Sequence, residues 1–134
     1  MIRLNPEQLV FVTERHLATL TTLRPDGTPH VVPVAFTWDA EEGVARITTN
    51  RNSFKARHAN PLADGGAPRA ALCQVDKGRW ITLEGTITVS EDEAEIADAV
   101  ERYARRYRQL GPNPDRIVLR VTVDKVMAST YMAS

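Results

Sequence analysis

The feature that most restricts the fold of this chain is a series of β-branched and aromatic runs interrupted at short intervals by turn residues. The turns at 25–27 and 39–43 contain the Pro, Asp and Gly residues that close hairpins between neighbouring strands. A further turn at 76–78 separates two later runs. The pattern therefore predicts antiparallel strands that begin as a meander. The predicted strands are residues 16–24, 30–38, 44–49, 69–75, 79–89 and 117–127.

Three segments carry helical signals instead. A helix is expected to start at the capping residue Asn5 and to run to about residue 14. A short basic helix is expected to begin near Ser53, and the longest helix begins at the capping box 90–93 and runs to about residue 108. The longest helix packs one apolar stripe, which is formed by Ile96, Val100, Tyr103 and Tyr107.

The other face of the longest helix carries charges of both signs. Such a face predicts an exposed surface with ion pairs, and the alternative is that one of its arginines reaches a ligand. The charged residues are Glu95, Asp98, Glu101, Arg102, Arg105, Arg106 and Arg108.

These elements predict one domain, residues 1–134, of the mostly β class. A sheet of six or seven antiparallel strands must hide its edges, and short helices cannot cover both of its faces. We therefore expect a closed or nearly closed barrel. Residues 60–68 are too rich in Pro and Gly for regular structure and are expected to form a loop.

Composition excludes several classes of function. Lysine plus arginine and aspartate plus glutamate both total 17, so a nucleic-acid partner or a polybasic membrane surface is not expected. The single Cys73 excludes a disulfide within the chain. With no apolar run near 18 residues and no leader, we expect a cytoplasmic protein. Neither the three histidines nor the nucleophilic residues are spaced for a metal site or a catalytic triad.

The polar stretch at the end of the third predicted strand favours an anion site. Hydroxyl groups of Thr48 and Thr49, the start of a helix at Ser53, and the cations of Lys55 and Arg57 can converge on one phosphate group. The alternative is that Ser53 is only a helix cap and that the two cations lie on a solvated helix face.

The order of the sequence pieces resembles the split-barrel flavoproteins that are similar to pyridoxamine phosphate oxidase. Within that superfamily the details are most similar to reductases that use the deazaflavin coenzyme F-420, those like the actinobacterial biliverdin reductases. The matching pieces are residues 14–18, 29–32, 48–56, 68–72, 74–76, 79–85 and 102–108.

The resemblance implies a homodimer in which the cofactor lies in a groove between two protomers. The cofactor ring would contact the second predicted strand, and its phosphate would lie on the strand-turn-helix segment. Pro33 fits a locally irregular strand, although a plain edge position is an equal alternative. The implied cofactor contacts are Val32, Pro33, Val34, Ala35, Thr37, Thr48, Thr49, Ser53, Lys55, Arg57 and Trp80.

The activity implied by the resemblance is transfer of a hydride from reduced coenzyme F-420 to a flat conjugated molecule, with biliverdin as the best single guess. No catalytic acid or base is expected, since the cofactor itself carries the reacting hydrogen. Trp80 would stack on the ring or on the substrate from across the interface. Gln74 would orient the substrate, unless it is a surface amide, and Arg57 would bind substrate carboxylates.

Two alternatives remain at this stage. Flavin mononucleotide (FMN) presents a phosphate at the same point as the deazaflavin, so an FMN-dependent reductase or oxidase is possible on the same fold. A flavin- or haem-binding module without turnover is the alternative that is not an enzyme. Residues 131–134 lack the Arg/His motif of true pyridoxamine phosphate oxidases, which argues against vitamin B6 oxidation.

Overall fold

A computed structural model describes residues 1–130 and Met132; Tyr131, Ala133 and Ser134 of the C-terminal stretch lie outside the described residues. None of the helices among the described residues has the length and hydrophobicity needed to cross a bilayer. The elements are α1 (Pro6–Phe11), β1 (Ala18–Leu23), β2 (Pro29–Val34), β3 (Thr37–Asp39), β4 (Val44–Asn50), α2 (Phe54–His58), β5 (Arg69–Asp76), β6 (Arg79–Ser90), α3 (Glu93–Arg106) and β7 (Arg116–Ala128).

The seven strands form one antiparallel sheet in the order β2-β1-β5-β6-β7-β4-β3. Its first and last strands, β2 and β3, are joined by only two residues, Ala35 and Phe36. Seven strands laid flat would separate these edges by about 29 Å, whereas the three peptide steps from Val34 to Thr37 reach at most about 11 Å. The sheet is therefore curled until its edges meet. This confirms the predicted mostly β split barrel.

The barrel is split because β3 is too short to cover its neighbour. β3 pairs with β4 only at Val44–Arg46, and the rest of β4 pairs only with β7. The segment Ile47–Asn50 therefore has a strand on one side and faces the end of β2 on the other. Backbone groups along this free edge are available to a ligand, since ladder bonds satisfy only one side of the strand.

The predicted strand 30–38 is wrong in one respect, because the chain leaves the sheet at Ala35 and Phe36. The Phe36 carbonyl accepts hydrogen bonds from the Arg106 guanidinium at 2.6 Å and from the Tyr107 hydroxyl at 3.2 Å, instead of joining a ladder. The irregularity expected at Pro33 is absent, since Pro33 pairs in register with Thr19. β2 is an edge strand, where proline is tolerated.

Helix boundaries also differ from the expectations. α1 ends at Phe11, and the Thr13 hydroxyl donates to the Val10 carbonyl at 2.7 Å, a side-chain bond that competes with continuation of the helix. The cap of α3 is Asp92, whose side chain accepts from the Glu95 amide at 3.0 Å, whereas Ser90 is the last residue of β6.

The barrel interior is filled by aliphatic side chains from every strand except β3, together with Phe11 and Phe36. Alternation along β6 buries Ile81, Leu83 and Ile87, whereas the residues directly before and after each of them are more exposed. This alternation determines which face of the sheet remains open to solvent.

The charged face of α3 is only partly the exposed surface that the sequence indicates. Arg102 pairs with Asp98 and Arg105 pairs with Glu101, as expected for such a face. Arg106 instead points inward, and burial lowers the pKa of its guanidinium below its usual range. The solvated assignment of Arg106 is therefore wrong.

A buried ion cluster fixes α3 against β4. The Arg46 guanidinium lies 2.7 Å from the Asp39 carboxylate, 2.9 Å from Glu95 and 2.5 Å from Glu42. These three acidic partners raise the pKa of Arg46, which outweighs the effect of its burial. Glu95 is in the first turn of α3, so the cluster holds the start of that helix.

Gly85 marks the point where the longest strand pair changes register. The pairing of β6 with β7 shifts between Glu84 and Gly85, and a Cβ atom at Gly85 would overlap the Thr122 carbonyl and lie 2.9 Å from the Val123 Cα. Only a residue without a side chain fits there.

We predict that Gly85→Ala lowers the free energy of unfolding by about 3 kcal/mol, because a backbone cannot move aside as a side chain can. Urea denaturation followed by circular dichroism measures the change. Gly111→Ala is the matched control: its added Cβ meets no atom within 4 Å, and its effect should stay within about 0.5 kcal/mol. Equal stability of Gly85→Ala and wild type would contradict the close approach.

Candidate functional site

A cavity of about 310 Å³ lies at the split of the barrel, between the end of β2 and the free edge of β4. Its remaining wall comes from α2, from α3 and from the segment that leads into β7. The lining residues are Pro33, Val34, Ala35, Ile47, Thr48, Thr49, Asn50, Lys55, Tyr103, Leu110, Asn113 and Arg116.

The cavity brings together six of the residues that the sequence indicates as cofactor contacts. They come from the end of β2 on one side, and from the end of β4 and the following helix α2 on the other. These two sides are adjacent only because the sheet is curled. The six are Pro33, Val34, Ala35, Thr48, Thr49 and Lys55.

Other predicted contacts lie elsewhere in this protomer. Val32 packs against the hydrophobic core. Thr37 is only 7% exposed and lines a separate cavity between α1, β3 and α3, so it is not part of the ring wall. Its position follows from the break after Val34, which carries Thr37 to the opposite edge of the sheet.

Ser53 caps α2 from just outside the cavity. Its hydroxyl oxygen accepts from the Ala56 amide at 3.2 Å and from the Thr49 hydroxyl at 3.2 Å. Ser53 is therefore the helix cap that the alternative reading described, and it also holds Thr49, which lines the cavity. Arg57 points away from this cavity and lines another one on the far side of α2.

The cavity wall from the C-terminal half of the chain was not predicted by the sequence analysis. Tyr103 fits the apolar stripe of α3, and Asn113 and Arg116 follow a Pro-rich turn that marks only the end of a helix. The Asn113 amide donates to the Asn50 side chain at 2.6 Å, and Arg116 donates to the Gly111 carbonyl at 2.8 Å. These contacts fold the turn against the end of β4.

The electrostatics of the cavity favour an anion. Lys55 and Arg116 are its two cations, no carboxylate lines it, and neither cation forms an ion pair within the described residues. Burial lowers the pKa of the Lys55 ammonium because its charged form is partly desolvated. A bound phosphate would stabilise the charged form of Lys55, which burial makes less favourable.

Gln74 does not line this cavity and is not a surface amide, so the surface alternative for it is wrong. Its role in orienting the substrate stays a prediction. Its side chain is 1% exposed. Its amide donates to the Phe11 carbonyl at 2.8 Å and its oxygen accepts from Arg106 at 2.6 Å. Side chains alternate along β5, and those at the even-numbered positions up to Gln74 point into the barrel. There the polar atoms of Gln74 form hydrogen bonds with other groups of the protein.

Trp80 lies on the outer face of the sheet, away from the cavity of its own protomer. It is 36% exposed and pairs with Val75 at the start of β6. Contact with a cofactor in the same protomer is therefore excluded by its position, and a contact from a second protomer stays a prediction.

Three titratable side chains meet at the end of β1 and β5. His16 Nε2 lies 3.0 Å from a Glu14 carboxylate oxygen and 3.9 Å from Asp76, an arrangement with the geometry of a metal site. The Arg79 guanidinium lies 2.9 Å from Glu14 and 2.6 Å from Asp76, so a cation already neutralises both carboxylates. The expectation that the chain binds no metal stays a prediction.

The curled antiparallel sheet defines a split-barrel protein. The cavity at the split has cations and no carboxylate in its lining, so it is suited to an anionic ligand. The chain belongs to the pyridoxamine 5'-phosphate oxidase family, whose model matches residues 4–129. Membership in this family confirms the resemblance drawn from the sequence.

Relatives and solved structures agree with this assignment. The chain is 46% identical over 127 residues to the F420H(2)-dependent biliverdin reductase of Mycobacterium tuberculosis (strain CDC 1551 / Oshkosh), which covers 95% of this chain and 89% of that protein. The conserved hypothetical protein Rv2991 from Mycobacterium tuberculosis has a TM-score of 0.76 over 96% of this chain and 86% of its own, and at 18% identity it shows the fold alone. A structure named F420 reductase has a TM-score of 0.69 and 25% identity, covering 94% of this chain and 98% of its own.

We predict a specific acid dependence for the Glu14 cluster. Hydrogen bonds from Arg79 and His16 lower the pKa of Glu14 from 4.5 to about 2. A depressed folded-state pKa contributes stability above the ordinary pKa of 4.5, and this contribution is lost as the pH falls towards 2. Glu14→Gln should therefore be less stable than wild type at pH 5, and the difference should shrink between pH 5 and pH 2.

Urea denaturation across this pH range measures the difference. Glu41→Gln is the matched control, since it removes one exposed carboxylate that forms no ion pair within the described residues. A difference between wild type and Glu14→Gln that stays constant from pH 5 to pH 2 would contradict the ion-pair assignment.

Proposed function

We propose that this protein is a coenzyme F-420-dependent oxidoreductase that transfers a hydride from the reduced cofactor to a flat conjugated acceptor, with biliverdin as the substrate. The observation that carries the proposal is the cavity at the barrel split, in which Lys55 and Arg116 form no ion pair with any carboxylate that the structure describes. The relative that is 46% identical is named for this cofactor and this substrate.

The cavity residues fit a cofactor that has a phosphate group and a flat ring. Lys55 and the hydroxyl groups of Thr48 and Thr49 would hold the phosphate, with Arg116 as a second cation. The apolar wall at Pro33, Val34 and Ala35 would contact the ring. The unpaired edge of β4 offers backbone donors and acceptors to polar atoms of the ring.

The residues of this chain would align the reactants and need not supply a catalytic acid or base. The reduced deazaflavin supplies the hydride when bound. The protein wall must hold the acceptor about 3–3.5 Å from the donor carbon. Lys55, Tyr103 and Arg116 are the titratable side chains that line the cavity, and the two cations are assigned to anion binding. We assign the supply of the proton to solvent.

We further propose that two copies of the chain form a dimer through the outer face of the sheet. Large apolar side chains are exposed there: Val31 is 57% exposed and Val75 is 60% exposed. Trp80 and Met127 are also exposed, and they lie on the neighbouring strands β6 and β7. Ala71 lies at the centre of this face. It pairs with Thr21 of β1, which on its other side pairs with Val31 of β2. A second copy would cover these groups and bring Trp80 to the neighbouring cofactor cavity.

The activity is tested with purified protein, reduced F-420 and biliverdin. We expect biliverdin reduction with reduced F-420 and none with NADPH alone, because no Gly-rich dinucleotide turn follows a strand in this sequence. Tight FMN binding without affinity for F-420, or steady turnover with NADPH, would instead favour the FMN-dependent alternative. Cofactor binding without turnover of any acceptor would favour a binding module.

The Lys55→Ala variant is expected to bind F-420 more weakly by about 1.5–3 kcal/mol, roughly ten- to a hundredfold. The reason is that the substitution removes a partly desolvated cation from the phosphate. Equilibrium titration measures the change in Kd. Arg108→Ala removes an exposed cation outside the cavity and serves as the control. An unchanged Kd in Lys55→Ala would remove Lys55 from the phosphate site.

The dimer is tested by sedimentation velocity at micromolar concentration. Wild type should sediment as a dimer, whereas Ala71→Arg should shift towards the monomer, since a charge at the centre of an apolar interface is costly to bury. Gln109→Arg, at an exposed position after α3, should remain dimeric. A wild-type protein that sediments as a monomer would contradict the dimer proposal.

A further inference from the structure

A second cationic region lies on the other side of α2 from the first cavity. It consists of two adjoining cavities of about 430 and 510 Å³, which share Arg24, Pro25, Arg57 and His58. The β1–β2 turn, α2 and the loop before β5 form its walls. None of these lining residues is acidic. The other lining residues are Leu23, Gly27, His30, Phe54, Asn60, Pro61, Leu62, Ala67, Pro68 and Arg69.

Two of its guanidinium groups, those of Arg24 and Arg57, form no direct ion pair within the described residues. Asp26 in the same turn is a weaker neighbour of Arg24: hydrogen bonds from Thr28, and to a smaller extent the charge of Arg24, lower the pKa of its carboxyl. Arg24 uses one nitrogen to donate to the Pro29 carbonyl at 2.5 Å and to the Thr28 hydroxyl at 3.4 Å. The Arg57 guanidinium lies 5.3 Å from the centre of the Phe54 ring. Arg69 differs, because Asp124 neutralises it. Arg24 and Arg57 are therefore the cations available to a ligand.

A pair of histidines also lines the region. The rings of His30 and His58 lie 4.9 Å apart, edge to face, and His58 Nδ1 lies 2.9 Å from the Thr22 hydroxyl. The Nδ1 atom of His30 is buried and has no hydrogen-bond partner within the described residues. Burial, His30 and Arg24 lower the pKa of His58. A negative charge bound here would favour the protonated form of His58.

The same region offers apolar surface beside its charges. Phe54 is 65% exposed, and its ring lies 6.3 Å from that of His30. Leu23, Leu62 and Pro25 extend the apolar surface. A ligand that matches both properties has a flat apolar body and one or more negatively charged groups.

The two regions are neighbours because they use different sides of one short helix. Lys55 faces the first cavity, whereas Phe54, Arg57 and His58 line the second. A helix with its side chains is about 10–12 Å across, which a linear tetrapyrrole with flexible acid side chains can span. One acceptor can therefore reach the first cavity with its conjugated body and the second with its carboxylates.

We propose that this second cavity binds the carboxylates of the acceptor through Arg24 and Arg57, with the exposed Phe54 ring against its apolar body. The proposal rests on the proposed function for the identity of the acceptor. It gives the protein a selectivity for dianionic over neutral acceptors that the first cavity, which is assigned to the cofactor, does not provide.

The test compares biliverdin with its neutral dimethyl ester, since the two differ only in the charge of the acid groups. Binding to protein loaded with oxidised F-420, which has no hydride to give, is followed by visible absorbance. Wild type should bind the diacid at least tenfold more tightly than the ester. In the double variant Arg24→Ala and Arg57→Ala this preference should disappear, and in the control Arg3→Ala it should persist.

Each outcome decides between defined alternatives. Equal binding of diacid and ester by wild type, or a preference that survives in the double variant, overturns the proposal; the wild-type comparison does so even if the variant fails to fold. If the double variant loses affinity for F-420 but still prefers the diacid to the ester, the site belongs to the cofactor. That outcome also overturns the proposal. A binding preference as expected, without reduction of biliverdin by reduced F-420, contradicts the proposed function while supporting the carboxylate site.

Discussion

The guanidinium group of Arg106 is the contact on which the closure of the barrel depends. It donates to the carbonyls of Glu14, Phe36 and His16 at 2.9, 2.6 and 3.3 Å, and to the Gln74 side chain at 2.6 Å. These acceptors lie in the turn after α1, just before β1, in β5 and in the crossing between β2 and β3. One planar group with a fixed fork of donors thus joins three parts of the chain: the connection between α1 and β1, strand β5, and the crossing between β2 and β3.

The neighbouring Tyr107 reinforces the same junction. Its hydroxyl donates to the His16 carbonyl at 2.7 Å and lies 3.2 Å from the Phe36 carbonyl. With these bonds the chain can leave the sheet at residues 35 and 36 without leaving buried backbone groups unpaired. The direction of that crossing determines where Pro33, Val34 and Ala35 meet the free edge of β4. The geometry of the cavity is therefore linked to α3, although α3 contributes only Tyr103 to its lining.

Local sequence chemistry was sufficient to predict most of the strands, the turns and the candidate anion site on β4 and α2, whereas the contacts on β2 were implied by the family resemblance. Gly and Asp at the turns, alternation along the strands and the Ser53 cap are signals that act over a few residues. The wrong expectations concern long-range polar contacts. Nothing near Gln74 or Arg106 in the sequence distinguishes a buried amide or guanidinium from an exposed one, because each is satisfied by a partner 32 residues away. The contribution of Arg116 is hidden for the same reason, since it reaches the cavity only when β7 pairs with β4.

The two-residue crossing also determines when in folding the cavity can exist. The β1–β2 and β3–β4 hairpins are local and can each form early, yet they occupy opposite ends of the sheet order. The crossing keeps one end of each hairpin close to the other, but hydrogen bonds connect the two hairpins only through β5, β6 and β7. The pairings of these strands join residues far apart in the chain. The cavity at the split is therefore absent from any folding intermediate that contains the hairpins alone. Ligand affinity, rather than β content, is the property that reports completion of the barrel.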